Sequence, residues 1–264
     1  MSTGTPDILR KIVEVKRDRL ILQKEALPMS GLLDLISEVE KPLNFVGRLM
    51  GERVRVIAEV KRASPSKGLF KENLDAGKLA RTYAENGAAA VSVLTNEDYF
   101  KGSIEDMLDA HSAIYALGVP ILRKEFIFDP YQIYEARAFG ADAILLIVSM
   151  LDGEEIREFM EIARSLWMQC LVEVHDENEL ATALSCNPEI VGINNRDLHS
   201  FETTLEVTER IAPMIPFGTV SVSESGITGK NDLERVRSLG VSAVLVGESL
   251  VRSPDPGKAL RELV

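Results

Sequence analysis

Val54 to Gly68 reads VRVIAEVKRASPSKG. It opens as an apolar run interrupted by Arg55, sets Glu59 and Lys61 two residues apart, and breaks at Ser64-Pro65-Ser66. On a β-strand, residues i and i+2 share a side, so this carboxylate and this ammonium project together. Burying both at the end of an apolar strand costs free energy unless they pair, meet a ligand or face a wet pocket. Two readings follow: a structural ion pair at a strand terminus, or the first two side chains of a site. The rest of the chain has to discriminate between them.

From Val54 onward, short apolar runs alternate with amphipathic segments. The runs are VRVIAEV from Val54, AAVSVLT from Ala89, VPILRKEF from Val119, ADAILLIVSM from Ala141, QCLVEV from Gln169, IVGINN from Ile190, GTVSVSES from Gly218 and SAVLVGES from Ser242. The segments at Gly77–Glu85, Ile104–Leu117, Pro130–Phe139, Gly153–Leu166, Glu177–Ser185, Thr203–Ile211, Lys230–Leu239 and Pro256–Leu263 carry helical spacing. Near-continuous apolar strands, each followed by a helix, require right-handed crossovers and a parallel sheet covered on its outer face. At about 26 residues per unit, the spacing fits a closed (β/α)8 TIM barrel. Gly87, Gly118, Gly140 and Gly240 fall between a helix and the next strand, where a left-handed C-cap is wanted. An open doubly wound sheet is the competing architecture, but no GxGxxG follows the first run.

Residues 54–264 therefore form the barrel core. Residues 1–53 form an N-terminal helical extension, with a helix from Pro6 to Leu20 behind Thr5 as N-cap, a second at Leu32–Val39 and a short apolar piece at Phe45–Met50. No linker or composition shift marks a second domain, so residues 1–264 read as a single domain.

A net charge of −11 argues against nucleic acid as a partner, while leaving room for a small anion held by a few local cations. Cys170 and Cys186 lack metal spacing and are expected to be reduced and structural. There is no apolar leader, and no apolar run reaches the roughly 18 residues of a membrane span, so a cytoplasmic protein with no membrane partner is expected. His111 lies within a helix and is expected at the surface. His175 follows Glu173 at i+2 and could line a rim, but a structural role is the plainer reading. None of the three histidines has a metal motif, and no metal or cofactor is expected.

In a barrel the C-terminal strand ends surround one site. Read in order, those ends carry Glu59 and Lys61, Thr95 with Phe100 beyond it, Lys124 and Phe126, Glu173, Asn194 and Arg196, Glu224 and Ser225, and Gly247-Glu248. One such residue would be unremarkable, but convergence of several on one rim is hard to explain as solvation alone. Gly226 and Gly247 either turn the chain or open backbone N–H groups to an anion. Phe100 and Phe126 either belong to the core or sandwich a flat ring.

At these positions the chain resembles the indole-3-glycerol phosphate synthase family. IAEVKRASPSKG carries the likeness most specifically, and SVLTNEDYFKGS, ILRKEFIFDPYQI, CLVEVHDENEL, VGINNRDL and VSESGI follow in the family's order. The resemblance implies a cofactor-free enzyme that closes and decarboxylates 1-(2-carboxyphenylamino)-1-deoxyribulose 5-phosphate, releasing indole-3-glycerol phosphate, CO2 and water. It implies Lys124 as the general acid on the ketone oxygen and Glu173 as the acid/base for dehydration. Glu59, Lys61, Asn194, Arg196 and Ser225 would orient the substrate and both catalysts. Ser64, Gly226, Gly247 and Glu248 would hold the phosphate, Glu248 through its backbone N–H, with Glu224 also touching substrate, and Phe100 and Phe126 would hold the anthranilate ring. Ala63 stands where some members carry another Lys, and Asn96 where an acid often follows the Leu-Thr of the second strand, which bears on secondary contacts and not on the chemistry. The expected partner is a phosphorylated small molecule, and the expected state is a monomer or weak homo-oligomer.

Two alternatives remain open at this point. Another phosphate-binding barrel, such as a phosphoribosyl isomerase, would work with an Asp or Cys pair and has no use for Glu59-x-Lys61. A non-catalytic sugar-phosphate-binding barrel would need the glycines but not Lys124 together with Glu173.

Overall fold

The computed structural model describes residues 6–264. Eight parallel strands close into a barrel: β1 (Arg55–Val60), β2 (Ala90–Leu94), β3 (Ile121–Lys124), β4 (Ala143–Ile147), β5 (Gln169–Val174), β6 (Ile190–Asn194), β7 (Val220–Glu224) and β8 (Ala243–Val246). Closure is visible at Ile57, which registers with Ala90 on β2 and with Leu245 on β8. Strands β2, β4 and β8 are buried at every position, as a sheet covered on both faces demands.

Ahead of the barrel lie α1 (Asp7–Ala26), α2 (Met29–Glu38) and α3 (Phe45–Leu49). Between and after the strands come α4 (Ala76–Glu85), α5 (Glu97–Phe100), α6 (Ile104–Ile114), α7 (Pro130–Ala138), α8 (Gly153–Ser165), α9 (Glu177–Leu184), α10 (Glu206–Ile211), α11 (Lys230–Arg237), α12 (Glu248–Arg252) and α13 (Pro256–Arg261). The starts are chemically determined. Asp75, Ser103, Asp176 and Asp255 accept from first-turn N–H groups, and Asp129 with Gln132 and Asp152 with Glu155 form full capping boxes. The stops use glycine as expected, with φ of 100° at Gly87, 69° at Gly118, 85° at Gly140 and 77° at Gly240. No helix of the described residues is long and apolar enough to cross a membrane.

Three local expectations are revised. Thr5 lies outside the described residues, and Pro6 stands at the N-cap of α1, not inside its first turn. The helix expected from Thr203 begins at Glu206, because Thr203 is drawn into an isolated antiparallel bridge with Arg196. His111 is buried, not exposed. It shares the inward side of α6 with Met107, Ala110 and Ile114, its ring lies 5.0 Å from that of Tyr115, and it packs so closely on Gly140 that a Cβ there would overlap the imidazole.

The extension is part of the barrel's packing. Leu9 and Val13 of α1 join the main apolar core, and Lys16 reaches inward to pair with Glu125 at 2.8 Å, both side chains almost wholly buried. At the opposite end, Asp142 accepts from the backbone N–H groups of Leu43 and Ile121, both at 2.6 Å, tying the segment before α3 to β3.

Candidate active site

The strand ends predicted to converge do so. A cavity of about 510 Å³ opens at the C-terminal rim, the right size for a small ligand, and every expected site residue lines it: Glu59, Lys61, Ser64, Phe100, Lys124, Phe126, Glu173, Asn194, Arg196, Glu224, Ser225, Gly226, Gly247 and Glu248.

At its centre stands Lys124, the last residue of β3. Its Nζ donates to Glu173 Oε2 at 2.9 Å and, more closely still, to Glu224 Oε2. Glu173 ends β5 one residue early and Glu224 ends β7, so three alternate strands aim one cation and two carboxylates at one point. Room for Glu224 is made by Gly192 on β6, where a Cβ would overlap Glu224 Oε1. Burial disfavours the charged form of Lys124, but Glu173, Glu224 and Glu59 together outweigh it and raise its pKa. Burial likewise works against ionised Glu173, and Lys124 and His175 overcome it, so this carboxyl is held below its ordinary range. Glu224 goes the other way: burial, reinforced by Glu173 and Glu59, raises it above the ordinary carboxyl range. Two neighbouring carboxyls pushed apart in pKa is the pattern that separates acid from base roles.

Glu59 and Lys61 form the pair that their spacing predicts, 2.5 Å apart. Gly247 lies against this pair: a Cβ there would overlap the Glu59 carboxylate and come 3.1 Å from Lys61 Nζ. On the far side, Asn194 Oδ1 accepts from Ser225 Oγ at 3.0 Å and from the Arg196 backbone N–H at 3.1 Å. The turn that presents Ser225 takes it to φ 64° and Gly226 to φ 89°. Arg196 Nη1 reaches Ser66 Oγ at 3.4 Å, spanning from the loop after β6 to the loop after β1.

Among the described residues no side chain caps α12 at Gly247, so its first-turn N–H groups are open to an acceptor from the cavity that Lys61, Ser64 and Gly226 also line. The Glu248 carboxylate is engaged elsewhere, with Lys67 at 3.0 Å and Arg252 at 3.2 Å, so only its backbone is available to an anion.

The aromatic pair is placed differently from expectation. The rings of Phe100 and Phe126 are 6.0 Å apart and tilted by 39°, in contact with each other. A flat ring does not fit between them; together they make one aromatic wall. Further apolar lining includes Leu145, Ile147 and Leu245 on the strands and Ile8, Leu9 and Ile12 on α1. That α1 would cover the site, and that Arg252 would border it, had no signal in spacing alone. Among the described residues, no group of three or more His, Cys, Asp or Glu is placed to hold a metal ion, and both cysteines are buried and unpaired.

A family model described as indole-3-glycerol phosphate synthase matches residues 9–263. A Dehalococcoides mccartyi (strain CBDB1) protein bearing that name is 47% identical over 258 residues, covering 97% of this chain and 100% of its own. Another from Carboxydothermus hydrogenoformans is 47% identical over 264 residues, covering 97% and 99%. Among solved structures, thiamine phosphate pyrophosphorylase from Pyrococcus furiosus superposes with a TM-score of 0.63 at 18% identity, covering 83% of this chain and 96% of its own. Salmonella typhimurium 3-hexulose-6-phosphate synthase gives 0.63 at 10% identity, covering 80% and 96%. These two structural likenesses speak for the barrel fold alone.

Proposed function

The chain belongs to the indole-3-glycerol phosphate synthase family, a carboxy-lyase family of tryptophan biosynthesis, and from that premise we propose how its residues divide the work. The reaction is ring closure, decarboxylation and dehydration of 1-(2-carboxyphenylamino)-1-deoxyribulose 5-phosphate. The observation that carries the assignment is Lys124 Nζ between Glu173 and Glu224 at the centre of the rim cavity.

Ring closure turns the substrate's ketone oxygen into an alkoxide, and Lys124 supplies its proton. Because three carboxylates keep Lys124 charged, it stabilises the developing oxyanion before the transfer completes. Loss of CO2 then restores the aromatic ring. Expulsion of the new hydroxyl as water requires one proton on that oxygen and removal of another from the ring system. Glu173, held ionised beside Lys124, is suited to the removal.

The phosphate belongs at the N-terminus of α12, where uncapped N–H groups meet the cavity that Gly226, Ser64 and Lys61 also line. The anthranilate ring lies on the single wall of Phe100 and Phe126. Arg196, Asn194 and Ser225 line the same cavity, where they can orient the substrate's polar groups.

The test is direct. Purified protein given the carboxyphenylamino-deoxyribulose phosphate should produce the indole fluorescence of the product with release of one CO2 per turnover. Phosphoribosyl isomerase activity without this product would refute the assignment.

A further inference from the structure

Behind Glu173, on the side away from Lys124, sits an imidazole that the reaction as described does not use. His175 follows Glu173 by two residues, and its Nε2 lies 3.4 Å from Glu173 Oε1. Its Nδ1 lies 2.9 Å from Glu179 Oε2, on the first turns of α9. Glu179 is in turn fixed: its carboxylate accepts from the His175 backbone N–H at 2.7 Å and from Ser149 Oγ at 2.5 Å.

We propose that His175 is a positioning residue for the reaction, an imidazolium braced by Glu179 that orients Glu173 Oε1 and leaves Oε2 to face Lys124 and substrate. The argument is one of donors and acceptors. An ionised carboxylate only accepts, so Glu179 requires a proton on His175 Nδ1. A neutral ring protonated there would aim the Nε2 lone pair at a second carboxylate, whereas the doubly protonated ring donates toward both. Nε2 is buried and makes no hydrogen bond among the described residues, and Glu173 Oε1, 3.4 Å away, is the acceptor it can serve. The separation is slightly long for a finished hydrogen bond, as is common before substrate tightens a site.

The charges around the ring agree. It faces Glu173 near the end of β5, Glu179 from α9 and Glu224 from β7, while Lys124 holds the other oxygen of Glu173. Burial disfavours the charged ring, but these carboxylates outweigh it and raise its pKa. In return His175 is, after Lys124, the charge that does most to keep Glu173 ionised. Glu173 is thus bracketed, one oxygen to a cation that reacts and the other to a cation that does not.

This rests on Glu173 acting as the acid/base, so Glu173→Gln is measured alongside. If that variant keeps its kcat, the assignment of Glu173 falls and this proposal with it. Given a crippled Glu173→Gln, His175→Asn keeps a donor toward Glu179 but cannot reach Glu173. It should lower kcat about tenfold with KM within about twofold, and move the acidic limb of kcat/KM upward by about one pH unit, since Glu173 loses a neighbouring cation. His175→Gln, whose amide can reach Glu173 without charge, should recover part of kcat but not the limb. Should His175→Asn not fold, Glu179→Gln weakens the imidazolium while leaving Glu173 untouched, and should move the limb in the same direction. A limb that stays in place in the folded variants, whatever happens to kcat, would overturn the proposal.

Discussion

Lys124 Nζ lies 2.9 Å from Glu173 Oε2, so the proposed acid and the proposed base begin the cycle as an ion pair. The ammonium has three N–H donors, two of them engaged by Glu173 and Glu224, so the ketone oxygen can take the third in the working complex. Glu224, on the other side of Lys124, can hold the cation while Glu173 turns to substrate.

Lys124→Ala should abolish turnover while the protein stays folded. The side chain stands in the rim cavity, outside the apolar core, so its loss should leave the barrel folded. Glu173 and Glu224, 4% and 2% exposed, lose their shared cation and some stability with it. A loss of roughly a hundredfold or more in kcat is the scale for one general acid. Near-normal turnover in the folded variant would remove Lys124 from the chemistry.

Gly247→Val should damage both ends of the site. A Cβ at this position overlaps the Glu59 carboxylate and crowds Lys61, so the ion pair has to move and the entrance to the α12 N-terminus narrows. KM should rise about tenfold or more, as expected for a lost charge-assisted contact, and inorganic phosphate should compete less well with substrate. Unchanged KM and unchanged phosphate inhibition would show that the glycine only turns the chain.

How far such features could be read beforehand depended on their range. The strands were legible because each apolar run is local and glycines punctuate them, and Glu59 with Lys61 was legible because the period of a strand is two. Contacts across the barrel were not. Lys16 gives no sign in α1 that its partner is Glu125, and the polarity of His111 hid its place on the inward side of α6. The adjacency of β2 and β3 put Phe100 near Phe126, but whether their rings touch or part is set by side-chain torsions that no spacing encodes.

His111 gives a pH dependence of stability. Burial, the dominant influence, lowers its pKa below the ordinary value of 6.5. A histidine depressed in the folded state binds its proton more readily once unfolded, so its contribution is fully present above the unfolded pKa and is lost as pH falls toward the folded one. Wild type should therefore lose more Tm than His111→Leu as pH is lowered from about 8 to about 5. Parallel Tm curves for the two proteins would contradict this.

Helix α1 carries two ion pairs whose energies should differ sharply, and the difference tests how the extension is held. Lys24 meets Asp129 at 2.7 Å with both side chains substantially exposed, whereas Lys16 meets Glu125 at 2.8 Å with 3% and 0% of their side chains exposed. Solvent screens the first, and Lys24→Met should cost no more than about 1 kcal/mol. Removing Lys16 leaves the Glu125 carboxylate buried with Thr95, Asn96 and the Phe126 N–H as its remaining donors, and Arg123 as the nearest cation. Lys16→Met should then cost about 3 kcal/mol or more in urea denaturation. Adding Glu125→Gln should recover part of that loss, because the uncompensated charge is gone. Lys16→Met should also raise KM, since α1 brings Ile8, Leu9 and Ile12 to the cavity wall and Glu125 adjoins both Lys124 and Phe126. If Lys16→Met cost no more than Lys24→Met, and left KM alone, α1 would be held by its apolar side and the buried pair would have no part in shaping the site.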